Sequence, residues 1–129
     1  MDMSWKAIAA VDREREYLAL LTYLPLRSYM KIPLFFQFTF QIQRQLKDTQ
    51  GAIGYALRAK PLSRRFWTLS VWESERALMD FVIKVPHGDV MKALSPHMER
   101  TKFTRWKLLG SALPPNWDDA MRRGAGGLG

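Results

Sequence analysis

A chain of 129 residues is long enough to bury one hydrophobic core without disulfide or metal staples. Its 47% apolar content and five tryptophans exclude disorder for the bulk of the chain, and the lack of cysteine excludes disulfides, thiolate zinc sites and a cysteine nucleophile. The net charge of +8 comes from scattered lysines and arginines that form no single helical stripe, which reads as a solvated surface and not as a nucleic-acid-binding face.

The opening MDMSWKAIAAVDRERE has neither the basic start nor the apolar core of a secretion signal, and no apolar run approaches bilayer-spanning length. The chain is therefore expected to be cytoplasmic, with no membrane partner. Residues 1–15 are expected to form an N-terminal extension to one domain over 16–112. That domain begins with EYLALLTYLPLR (16–27), rich in aromatic and aliphatic residues, a first strand that leaves the sheet near Pro25.

The next stretch, FFQFTFQIQ (35–43), is ambiguous. Phe36, Phe38, Phe40 and Ile42 alternate with polar residues as in a half-buried strand. The flanks argue for a helix: Pro33 suits a first turn, and the segment runs on through several glutamines to Gly51, a natural helix stop. A strand over 33–49 would also be unusually long. A helix places Phe35, Phe38, Thr39, Ile42 and Leu46 on one face, so Phe35 and Phe38 are expected to bury against the sheet while Phe36 and Phe40 need a second partner.

GAIGYALRAK (51–60) and FWTLSVW (66–72) follow as strands joined by the turn PLSRR, with Tyr55 and Arg58 pointing to opposite faces of the first. Ser74 caps a helix carrying the apolar stripe Ala77, Leu78, Phe81 and Val82. Pro86 breaks it, leaving His87 at the break before a second helical piece, GDVMKALSPHM. TKFTRWKLL (101–109) is the last strand; residues 113–123 should hold a short helix capped by Asn116, and 124–129 a disordered tail.

The order predicts an α+β, ferredoxin-like βαββαβ sandwich, a four-stranded antiparallel sheet with both helices on one face. Large side chains nevertheless point both ways: Trp67, Leu69 and Val71 oppose Phe66, Thr68, Ser70 and Trp72, and Trp106 and Leu108 oppose Phe103, Arg105 and Leu109. Two helices cover one face only. The other is expected to meet a partner or enclose a ligand, and a homodimer packed sheet to sheet is the economical solution.

The run FWTLSVWESERALMDFVIKVPHGDVM, preceded by GAIGYALRAK and followed by FTRWKL, resembles the dimeric α+β barrel superfamily that includes antibiotic-biosynthesis monooxygenases. Within it, the sequence looks most like the uncharacterised DUF3291 and spheroidene monooxygenase-like proteins, over about residues 16–120. The resemblance implies ferredoxin-like subunits paired through their sheets, with a pocket between sheet and helices. In the cofactor-independent monooxygenases a pocket Trp, Asn and Arg orient a phenol and stabilise its oxyanion. Trp72 matches the Trp and Arg105 stands loosely for the Arg, but the only Asn, Asn116, lies outside the barrel strands. Haem-binding members use a helical His, for which His87 is the candidate.

Two readings stand side by side. In one, a homodimeric protein takes a small hydrophobic molecule, aromatic or terpenoid-like, and acts on it as a monooxygenase. Trp72, Thr68, Ser70 and Phe66 bind it, Arg105 stabilises negative charge, and His87 serves as base or haem ligand. In the other, the chain is a non-enzymatic ligand-binding or dimerisation module. His87 then caps a helix, Trp72 fills a core or an interface, and Thr68 and Ser70 reflect β-propensity alone. His97 reads as an exposed loop residue. No His and carboxylate spacing suggests a metal.

Overall fold

FFQFTFQIQ is helical. The computed structural model describes residues 2–83 and 92–126, and in it the segment lies inside α1 (Ile32–Lys47). Pro33 occupies the first turn, where its missing N–H costs nothing, and the Thr39 hydroxyl donates to the Phe35 carbonyl at 2.9 Å within the helix. Beyond the helix end, Gly51 turns the chain at φ +90°, a conformation that side chains with a Cβ rarely adopt.

The other elements are β1 (Asp2–Ala7), β2 (Glu16–Pro25), β3 (Ala52–Lys60), β4 (Arg65–Trp72), α2 (Glu75–Ile83), β5 (Lys102–Leu109) and α3 (Trp117–Gly126). They form an α+β, ferredoxin-like antiparallel sheet in the order β1-β3-β4-β2-β5, with helices packed on it. The sheet has five strands and not four, because the expected N-terminal extension contributes β1 along the free edge of β3. Between Met3 and Lys6 the pairing skips a residue in a β-bulge. Ser74 caps α2 by accepting from the Ala77 N–H at 3.1 Å, and Asn116 caps α3 by accepting from Asp119 at 3.1 Å. Of the second helical piece, residues 92–94 are helical and Ser95–His97 form a 3₁₀ turn.

On the helix side, Phe35 packs against Phe66 with ring centroids 4.3 Å apart and is 1% exposed. Burial of one such ring stabilises by about 1.5–3 kcal/mol. Phe38 lies half-buried over the sheet, and Phe36 finds its partner within the chain, edge-on to Phe66 at 5.7 Å; Phe40 stays half exposed.

The second face is closed by the chain itself. Tyr17, Ala19, Leu21, Trp67, Leu69, Val71 and Trp106 are buried there with Ala120 of α3, and Trp5, Trp117 and Met121 pack against them. From within the chain, α3, which runs to Gly126 and so past the expected limit of 123, and Trp5 on β1 pack over the face expected to meet a partner or a ligand. Arg58 fastens both. Its guanidinium binds Asp2 through two hydrogen bonds of 2.9 and 3.0 Å and lies over the Trp117 ring at 4.8 Å. No helix among the described residues is long and apolar enough to cross a membrane.

Trp5 packs so closely that a Cβ on Gly54 would lie 2.2 Å from its ring. Gly54→Ala should thus lower unfolding free energy by about 1–3 kcal/mol in urea titrations, since the indole cannot stay where it is. Ending the chain at Leu113 should uncover Leu69, Val71 and Trp106, and light scattering should then show a larger species than for the full-length protein.

Candidate functional site

Strand parity brings one set of side chains toward the helices. Leu20, Thr22 and Leu24 of β2 pair across with Ser70, Thr68 and Phe66 of β4, and these in turn with Tyr55, Leu57 and Ala59 of β3. Helix α1 lays Phe35, Phe38, Ile42 and Leu46 over them, and α2 adds Leu78, Phe81 and Val82. The layers do not close completely. They leave a cavity of about 330 Å³ lined almost wholly by carbon, the size of a small-ligand site.

Its polar content is small and placed. Thr22, Thr39, Gln43, Tyr55, Thr68 and Ser70 line it, and none of the described lining residues is charged. Trp72, 1% exposed, donates its indole N–H to the Ser70 hydroxyl at 2.9 Å and tilts against Phe81 at 5.1 Å, which fixes its ring as one wall. Because Ser70 accepts that bond, its own proton is available to a ligand oxygen. Tyr55 is the one titratable group in the described lining. Burial pushes its phenol above the ordinary value of 10.0, so it is neutral near pH 7 and acts as a hydrogen-bonding group.

Among the residues singled out in the sequence, Trp72, Thr68 and Ser70 come together in this lining. Phe66 does not reach it; it is fully buried behind Phe35. Arg105 faces the same side of the sheet beside Leu20, but its guanidinium pairs with Glu75 at the start of α2 and stays largely solvated, outside the cavity lining. His87 lies outside the described residues. His97 sits in the 3₁₀ turn, half-buried.

The sequence reading left Thr22, Thr39 and Gln43 unassigned as lining residues. Thr22 could have been placed by parity, since it alternates in step with Leu20 and Leu24 on the same strand. Among the described residues no group of histidine, cysteine and carboxylate side chains could hold a metal. The described lining offers no imidazole for haem iron, and His87, the candidate for that role, lies outside the described residues.

The raised Tyr55 value carries a stability consequence. A buried neutral phenol contributes stability that is fully present below the unfolded value near 10 and is lost as pH rises through the higher folded value. Tyr55→Phe should therefore flatten the alkaline decline in melting temperature above about pH 10, and difference absorbance should lose one tyrosine that titrates above the ordinary value.

No family model and no curated protein sequence matches the chain. Solved structures do. A Fusobacterium nucleatum protein with a provisional monooxygenase name superposes with a TM-score of 0.68 at 10% identity over 81% of this chain, which spans 48% of that longer protein. A Nitrosomonas europaea protein with a provisional antibiotic-biosynthesis monooxygenase name gives 0.62 at 13% identity, covering 69% of this chain and 95% of its own. A variant of SnoaB, a cofactor-independent oxygenase from Streptomyces nogalater, gives 0.58 at 13% identity over 76% of this chain and 97% of its own. At such identities the shared property is architecture: the chain has the same ferredoxin-like fold as these proteins.

Proposed function

We propose that the protein binds one small apolar molecule, aromatic or terpenoid-like, in the cavity between the sheet and helices α1 and α2, and acts on it as a monooxygenase-like enzyme. The observation that carries this reading is a cavity of about 330 Å³ inside the domain, with no charged residue in its described lining, where close packing would otherwise be expected. Trp72 offers a fixed aromatic wall, and Ser70 and Thr68 orient an oxygen on the ligand, while the surrounding aliphatic residues exclude water. The fold-sharing SnoaB is a cofactor-independent oxygenase, which supports direct reaction between bound substrate and dioxygen. In that reaction His87 is the candidate base and Arg105, once released from Glu75, the candidate partner of developing negative charge.

The scarcity of titratable groups in the described lining favours a second reading, a non-enzymatic binding module. A homodimer belongs to both. With α3 over the second face, sheet-to-sheet pairing requires that helix at the rim of the interface or displaced from it. The finer likeness to DUF3291 and spheroidene monooxygenase-like proteins belongs to the enzymatic reading.

Calorimetry with 1-naphthol should give one site per chain, and Leu57→Trp, which places an indole in the cavity, should weaken binding at least about tenfold. Failure of the unmodified protein to bind would remove the proposal. Oxygen uptake in the presence of bound naphthol separates the two readings: consumption supports the enzyme, and its absence with binding intact supports the binding module.

A further inference from the structure

The apolar cavity has a charged neighbour. A second concavity of about 390 Å³ lies between β1 and the latter half of α1, and Lys6, Phe40, Gln43, Arg44, Lys47 and Tyr55 line it. Gln43 and Tyr55 line the cavity too, so these two side chains are the wall between the spaces. The arrangement follows from two periodicities. Phe40, Gln43, Arg44 and Lys47 recur at i, i+3, i+4 and i+7 along α1. Lys6 is the cross-strand partner of Tyr55, so both side chains leave the sheet on its helix side.

Lys6, Arg44 and Lys47 form no ion pair among the described residues, although Arg15, Arg58, Arg105 and Arg123 all do. Three like charges around one concavity repel each other until an anion joins them. The helix dipole favours cations in the last turn of α1, which accounts for Arg44 and Lys47. It does not account for Lys6, which is on another element, or for Phe40, left 50% exposed among the charges.

We infer that the ligand is an amphiphile with one anionic head, carboxylate or phosphate, held by Lys6, Arg44 and Lys47 while its apolar body passes Tyr55 and Gln43 into the cavity. This rests on the cavity being the ligand site, as proposed above. The neutral phenol and the amide at the wall suit the boundary between head and body, since both give hydrogen bonds without adding charge. Exposed Phe40 covers the first carbons of the body.

Decanoate, decyl phosphate and decan-1-ol share one apolar body and differ in the head. Calorimetry at low salt should show either anion binding about tenfold or more tightly than the alcohol. That advantage should shrink at high salt and vanish in the triple variant Lys6→Ala, Arg44→Ala, Lys47→Ala, with the alcohol as reference in the same variant. Leu57→Trp should weaken all three ligands. Equal affinities for alcohol and anions, or an advantage that survives the triple variant, overturns the inference and leaves the cavity reading standing. Binding of none of the three overturns both. Anion binding that survives Leu57→Trp marks adsorption to the basic surface and overturns the inference.

Discussion

Strands β2 and β4 are apolar on both sides, and the rest of the molecule is arranged to cover them. Their cross-strand pairs alternate between Ala19 with Val71 and Leu21 with Leu69 on one face, and Leu20 with Ser70 and Leu24 with Phe66 on the other. A sheet with two such faces cannot be left half in water, because each exposed side chain forfeits about 1.5–3 kcal/mol of burial. The helix side is covered by α1 and α2. The opposite side receives α3 and the indole of Trp5, so elements far apart in the sequence are drawn over the centre of the sheet.

The two coverings differ in quality. Against the second face, Trp5, Trp67, Trp106 and Trp117 interdigitate with small residues such as Ala19 and Ala120, and Gly54 lets an indole approach the backbone. Against the first face, α1 and α2 stand off the middle of the sheet, and Thr22, Thr68 and Ser70 take positions where bulkier side chains would have filled the gap. The internal bond between Trp72 and Ser70 satisfies the largest buried donor there without using an external partner. Such a cavity is preorganised: a ligand meets walls already set and has little side-chain entropy to remove.

Much of this was legible in the sequence. The βαββαβ order could be read because each helix carries a cap or stop, Ser74 for α2 and the Pro33 and Gly51 flanks for α1, and these outweighed the alternation in FFQFTFQIQ. Parity alone placed Thr68, Ser70 and Trp72 together on one face, and the structure shows that face to be the helix side. What could not be read depended on long-range pairing. Strand β1 is short and mostly exposed, so its pattern is weak until β3 lies beside it. Helix α3 shows only polar first-turn residues and a few apolar ones, and nothing local says which face it will close. Arg105 shares parity with the cavity residues, but its pairing with Glu75 follows from where α2 begins relative to an edge strand.

The bulge in β1 acts as a phase inverter. Met3 stands opposite Leu57 and Lys6 opposite Tyr55, so Ser4 and Trp5 together oppose Ala56. In an unbroken ladder, Trp5 would face Tyr55 and Lys6 would face Gly54. The indole would then crowd the helix side and an ammonium group would be pressed into the apolar face under α3. One supernumerary residue exchanges these destinations while leaving Met3 and Asp2 in phase with β3. Ser4 is therefore a spacer whose side chain matters less than its presence, and the strand's usefulness is set by the count of residues between Met3 and Lys6.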